Sequence, residues 1–371
     1  MINILFLINT LGGGGAEKAL VNLVNHMDHS RFRITVETMF DDGVNASRLN
    51  PAIRYISKKA PCPHGIAYFL RIFSAGQLYR YFIGSEEYDI IVAYMHGAPV
   101  KVISGCPDPK VKKIAWLHNG TPETGSFFRF WLTKKAAFLA YKNCDAVVGV
   151  SRSVSQAFSR YTGIENVKTV YNTFDIPLIR TLAKQRSPFE KDPHKKYLVS
   201  VGRISEEKGY DRFLEVCLQL RREGCPLDAT IVGTGDKEDV LKRRIAEEAA
   251  GDWFHLVGFQ ANPYPFVSNA DLFVCPSYQE GLSTAVTEAV ILGVPVVSTD
   301  VSGAKEILGE RDEYGLVVEN SEAGLYEGIK QMLADESLLA QYRRRSAERA
   351  AFFSVNHTVQ QAEELFYKVS D

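Results

Sequence analysis

The sequence predicts an α/β protein of two Rossmann-like domains, each a parallel sheet covered by helices on both faces. Three observations predict it. Short apolar runs rich in β-branched residues alternate with helical stretches along the chain. The runs are continuously apolar, as strands buried on both faces require. The whole series then occurs a second time, and strand–helix alternation of this kind gives a doubly wound parallel sheet. At roughly 150 residues per domain, 371 residues suit two or three domains, each large enough to bury its own core.

In the first half the strands are expected at 2–8, 33–39, 89–94, 112–117, 145–150 and 167–171. In the second half they are expected at 196–201, 227–232, 253–257, 271–275, 295–298 and 315–319. Residues 178–196 are polar, carry two prolines and lose their apolar stripe after Leu182. The domain boundary is placed there, giving domains over 1–180 and 181–355 with a cleft beside the linker. Val359, Ala362, Leu365, Phe366 and Val369 recur at helical spacing. They predict an amphipathic helix over 356–371, expected to pack back on the first domain.

Lys plus Arg number 43 and Asp plus Glu 44, a net charge of −1. That balance excludes a protein that works by coating nucleic acid, and it excludes an acidic disordered chain. The longest nearly uniform apolar run, 289–297, is broken by Gly293 and Pro295. It falls far short of the eighteen or so residues that cross a bilayer. The apolar start of the chain follows no basic stretch and reads as a strand, not a signal peptide. The six cysteines form no C-x-x-C and no zinc spacing with histidine, so free thiols in a reducing cytoplasm are expected, and no metal.

Ligands of open parallel sheets gather at the carboxyl ends of the strands, which directs attention to the loops there. After the first strand come Gly12 to Gly15, then a helical pattern. Gly14 and Gly15 allow close backbone approach to an anion or a hydroxyl at a helix N-terminus, or else form a purely structural loop. The dinucleotide pattern G-x-G-x-x-[GA] fails in both registers, at Glu17 and at Lys18. In VGRISEEKG, 201–209, Arg203 and Lys208 stand five residues apart, either two solvated loop cations or, given their place at a strand's carboxyl end, a pairing suited to a diphosphate. In 275–297, Glu280 and Gly281 lead into a helix starting near Ser283 and Thr284, with Glu288 about one turn inside. The free N–H groups of Leu282, Ser283 and Thr284 would point at a ligand. Neither glutamate has a cation at i+4, which sugar or ribose hydroxyls as partners would explain; otherwise Glu280 is a loop solvent contact and Glu288 a structural hydrogen-bond acceptor. His118, and His96 at the analogous strand end, are each candidates for a ligand contact or for a structural role. The stretch 127–142, with Arg129, Trp131, Lys134 and Lys135, holds four cations, six aromatics and no acid. With the similar 68–82 it suggests helices at a membrane surface, or ordinary helices packed on the first sheet.

Taken together, these residues resemble a retaining glycosyltransferase of family 4, on the two-domain GT-B fold whose parallel sheets face each other across a cleft. The resemblance spans nearly the whole chain. Its most specific parts are the E-x₇-E element Glu280–Glu288 and VGRISEEKG; VSRSV at 150–154 and VGTGD at 232–236 agree with it. It implies that Arg203 and Lys208 hold the donor diphosphate, that Glu288 meets the ribose and that Glu280 meets the donor sugar. It assigns Gly14, Gly15, Gly281, Leu282, Ser283 and Thr284 to the donor as well, with Gly258 and Phe259 in the base-contacting loop. His118 matches a histidine beside the sugar, although Asn119 and Gly120 follow where the family often has an acid. At 171–175 Tyr-Asn-Thr-Phe-Asp stands where Asn-Gly-Val-Asp is more usual. The implied reaction moves a hexose or N-acetylhexosamine, with retention and without metal, from a nucleotide-sugar, UDP being the expected nucleotide. The expected acceptor is a lipid-linked glycan at the inner face of the cell membrane. The alternative is a nucleotide-sugar epimerase or hydrolase on the same fold.

Overall fold

The computed structural model describes residues 1–40, 43–58, 70–119, 127–186 and 191–370. The ends of two predicted features, residues 68–69 and Gly120, lie outside these, as does 187–190 of the expected linker. The chain divides into two compact units, Met1–Thr173 with Val355–Asp371, and Phe174–Ser354.

Among the described residues, the first unit holds a seven-stranded parallel sheet. Its strands are β1 (Ile2–Ile8), β2 (Phe32–Thr38), β3 (Arg54–Ser57), β4 (Ile90–Ala93), β5 (Lys112–Leu117), β6 (Ala146–Gly149) and β7 (Lys168–Thr169), in the order β3-β2-β1-β4-β5-β6-β7. Ile4 lies between Ile34 of β2 and Ile90 of β4, and all three are buried to 2% or less. That central stack shows why continuous apolar runs were required: helices cover both faces of the sheet. β3 was not anticipated. Its sequence, RYIS, carries little apolar signal because it is a partly exposed edge strand, paired among the described residues with β2 alone. The strand expected at 167–171 shortens to two residues at the opposite edge.

The described residues of the second unit hold a six-stranded parallel sheet of β8 (Lys196–Val201), β9 (Leu227–Val232), β10 (Phe254–Leu256), β11 (Leu272–Cys275), β12 (Val296–Thr299) and β13 (Leu316–Val318). The order β10-β9-β8-β11-β12-β13 reverses between β8 and β11. In such sheets the loops leaving the two strands at the reversal diverge to opposite faces and open a crevice.

The boundary falls at 173/174, earlier than the expected 180. The helix Ile176–Leu182 belongs to the second unit because Ile179 is buried there and its backbone is tied in. Arg180 Nε donates to the Ile291 carbonyl at 3.4 Å, and Asn262 Nδ2 to that of Leu182 at 3.0 Å. The helix Val355–Ser370 belongs to the first unit, where Phe366 meets Phe6 edge-on at 5.8 Å and also packs on Phe32.

Candidate functional site

The loops after β8 and β11 are bound to each other at the point where the strand order reverses. Gly209 ends the first loop at φ +63°, and a Cβ there would lie 2.1 Å from the Pro276 carbonyl oxygen, so glycine alone permits the approach. The Tyr278 N–H donates to the Glu207 carbonyl at 2.8 Å. Arg212, on the helix Tyr210–Arg222, is 3% exposed and clamps the second loop. Its Nε donates to the Pro276 carbonyl at 2.7 Å and its Nη2 to those of Ser277, at 2.6 Å, and to Asn320 Oδ1, at 2.9 Å. Its guanidinium also stacks 3.9 Å from the Tyr278 ring centre. Arg212 is not legible in the sequence, since an arginine in an amphipathic helix reads as solvated.

This clamp brings Lys208 and Glu280 together across 72 residues of chain, Nζ to Oε1 at 2.7 Å. Sequence reasoning gave the two separate partners; here each is the other's partner. The Ser277 hydroxyl donates to the same oxygen at 2.7 Å. Burial opposes the charge on Lys208, but Glu280 outweighs it and holds the amine above its ordinary pKa. Arg203, from the same loop, is exposed and makes no side-chain ion pair with the described residues. The loop therefore presents one cation that is already neutralised and one that is open.

Ser283 caps the helix Thr284–Ile291, its Oγ accepting from the Val286 N–H at 3.4 Å. Glu288, on that helix, is 5% exposed and accepts from the Tyr264 hydroxyl at 3.0 Å. Tyr264 is a second residue that the sequence did not reveal. Gly281 and Leu282 are buried before the cap, and the Gly281 carbonyl presses on Gly303, where a Cβ would come within 2.6 Å. Gly258 and Phe259 follow β10 at the same end of the sheet. Gly258 is at φ +70° in open space and Phe259 is 48% exposed, so a phenyl face is available there. No group of three or more His, Cys, Asp or Glu among the described residues is gathered as a metal ion would need.

In the first unit, Gly14 precedes the helix Gly15–His26. A Cβ on Gly14 would lie 2.3 Å from a Glu17 carboxylate oxygen, so an acidic group already covers this helix start. His118 directly follows β5, half-buried, with its ring 4.8 Å from that of Tyr94. Burial lowers its pKa to about 3 and the nearby His96 adds to this, so the ring is neutral at physiological pH.

The basic aromatic stretch is only partly helical, over Lys134–Lys142. Trp131 is 6% exposed and packs on Tyr141, so it is a core residue and makes no surface contact. Phe127, Phe128 and Phe130 are buried with it, which explains the aromatic richness by core packing. Arg129, Lys134 and Lys135 are exposed. Buried Lys101 binds this stretch to the other basic segment, its Nζ donating to the carbonyls of Leu70, Arg71 and Phe130 at 2.7, 3.2 and 2.9 Å. Ile72 (59%) and Leu132 (69%) stand out from the joined surface among these cations. No helix among the described residues is long and apolar enough to cross a membrane.

Comparison with known proteins agrees with this arrangement in both halves. Residues 13–177 match the family model of Glycosyltransferase Family 4, and residues 183–350 match that of glycosyl transferases group 1. A Campylobacter jejuni relative is 26% identical over 93% of this chain and 94% of its own: N-acetylgalactosamine-N,N'-diacetylbacillosaminyl-diphospho-undecaprenol 4-alpha-N-acetylgalactosaminyltransferase. The amylovoran biosynthesis glycosyltransferase AmsK of Erwinia amylovora is 37% identical over 30% of this chain and 29% of its own. Among solved structures, Anabaena HepE in complex with UDP and glucose superposes with a TM-score of 0.78 at 21% identity, covering 99% of this chain and 100% of that one. Sucrose-phosphate synthase from Thermosynechococcus elongatus gives 0.77 at 18%, covering 99% of each chain. With two α/β units of parallel sheet and both halves matched, the chain belongs to the family 4 glycosyltransferases of GT-B fold.

Proposed function

We propose that the protein transfers a hexose or N-acetylhexosamine from a UDP-sugar to a lipid-linked glycan, with retention of configuration and without a metal ion. The observation that carries this reading is the Lys208–Glu280 pair at the β8/β11 reversal, with Arg203 open beside it. Departure of a nucleoside diphosphate places negative charge on phosphate oxygens. Arg203 offers a planar fork to that charge and Lys208 a point charge, the electrostatic help that usually contributes most to catalysis. As Lys208 turns to phosphate, the Glu280 oxygen it held becomes an acceptor for a sugar hydroxyl. Glu288, oriented by Tyr264, is assigned to the ribose, and the exposed Phe259 ring to the base. Retention follows if the acceptor attacks from the face the diphosphate leaves and gives its proton to that leaving group. The Campylobacter relative's name, which couples N-acetylgalactosamine to a diphospho-undecaprenol carrier, and the UDP held by HepE support this choice of acceptor and donor.

A screen of nucleoside diphosphates by thermal unfolding tests the donor. UDP is expected to raise Tm most, by the equivalent of about 2.7 kcal/mol at a hundredfold excess over Kd. UDP-sugar turnover should then require a glycan acceptor, survive EDTA and give a product of unchanged anomeric configuration. Turnover undiminished without acceptor would instead identify an epimerase or hydrolase.

The same reading places the first unit against the cytoplasmic face of the membrane, through Arg129, Lys134 and Lys135 around Leu132 and Ile72. Cations flanking exposed apolar side chains suit an anionic bilayer. The protein should float with anionic vesicles and not with neutral ones. Reversing the three charges to Glu should abolish flotation; equal recovery of the variant rules the surface out.

A further inference from the structure

The turn that ends β4 carries a second imidazole, which the motifs left unassigned. Gly97 adopts φ +82°, and its N–H donates to the buried Tyr141 hydroxyl at 3.1 Å. The preceding His96 ring lies flat on buried Phe127, 4.2 Å between centres and 13° from parallel. Its orientation is thus fixed by packing. Ala93 pairs with Leu7 of β1 on one side and with Ala115 of β5 on the other. His96 and His118 each stand three residues beyond these paired alanines, in the loops that leave the neighbouring strands β4 and β5. The strand order of this sheet reverses between β1 and β4. His96 therefore stands at the first unit's own reversal point, where parallel sheets take ligands.

Each ring has one nitrogen that is fully buried and has no hydrogen-bond partner among the described residues, Nδ1 in His96 and Nε2 in His118. A buried N–H without an acceptor is seldom tolerated. The buried nitrogen is then the bare one, and the proton sits on the other, at Nε2 of His96 and Nδ1 of His118. Burial also keeps both rings neutral, at about 4 for His96, where Arg129 adds to the effect, and about 3 for His118.

We propose that His96 and His118 are a matched pair of neutral hydrogen-bond donors, through Nε2 and Nδ1 respectively, that position an oxygen of a hydroxyl-rich sugar ligand at the carboxyl ends of β4 and β5. The ligand class rests on the glycosyl-transfer reading; the donor pair rests on the burial. His96 becomes a positioning residue for the sugar.

Amide substitutions separate the two nitrogens. Gln puts an N–H near the Nε2 position and Asn near Nδ1. His96→Gln should exceed His96→Asn in kcat/KM by roughly tenfold or more, mainly through KM for the acceptor. At His118 the order should invert, with Asn the better replacement. All four variants should unfold at similar temperatures. Equal activity of the two amides at either position, or losses that track Tm, would overturn the pair. Long-range ¹H–¹⁵N spectra of the imidazoles read the tautomers without any substrate, and the opposite tautomer on either ring overturns the donor assignment. A wild-type protein that binds no nucleoside diphosphate and turns over no sugar donor overturns the sugar-ligand assignment together with the transferase reading, whatever the tautomers.

Discussion

Replacing Lys208 by Met should lower kcat/KM by about 10²- to 10³-fold, the loss usual for one preorganised donor to developing negative charge. The substitution keeps most of the apolar stem and removes the ammonium, with its charge and its hydrogen bond to Glu280. It leaves Glu280, 10% exposed at its side chain, with Ser277 as partner. Stability should therefore fall too, by about 1–2 kcal/mol; a fully buried pair would lose more, but this lysine keeps 24% exposure. Glu280→Gln tests the other half. If Glu280 exchanges Lys208 for a sugar hydroxyl, Gln should weaken turnover while leaving UDP affinity nearly intact. The double variant Lys208→Met/Glu280→Gln should regain part of the lost stability and none of the lost activity. Wild-type kcat/KM in Lys208→Met would remove the diphosphate assignment.

Arg212→Ala should destabilise the second unit by about 3 kcal/mol or more, a large effect for one residue. The Pro276 carbonyl loses the Arg212 donor, the Ser277 carbonyl is left with the Thr299 hydroxyl, and the stacking on Tyr278 is lost with them. Lys cannot replace it, because one ammonium cannot reach Pro276, Ser277 and Asn320 in the same fixed fork. Activity should fall as well, since the loop that carries Glu280 would no longer be held against Gly209. Denaturant unfolding read beside kcat/KM measures both effects. A stability change under about 0.5 kcal/mol, the range of ordinary surface substitutions, would show that the clamp is dispensable.

How legible these features are depends on whether their cause is local. Ile4 to Ile8 announce β1 because every residue must be apolar to be buried on both faces. RYIS at β3 does not, because an edge strand needs a partner more than it needs an apolar sequence. The E-x₇-E spacing and the Arg203–Lys208 loop are visible as patterns. The pairing of Lys208 with Glu280 is not, since a strand order that reverses between β8 and β11 creates it. Arg212 was hidden for a different reason: most of its partners are backbone carbonyls, which no residue pattern marks. Trp131 misled because an aromatic-rich basic stretch suits a membrane belt and a packed core equally well, and only burial decides. The orphaned ring nitrogens of His96 and His118 are likewise a property of packing alone.

The helix Val355–Ser370 closes the core of a unit whose other 173 residues come first in the chain. During synthesis, the intervening Phe174–Ser354 emerges whole and is free to fold on its own. The earlier-made portion must wait on the ribosome with Phe6 and Phe32 lacking Phe366 until that late helix arrives. Vectorial production thus runs against the order of the units, and the interval between them is the time in which an incomplete sheet is exposed to chaperones and proteases.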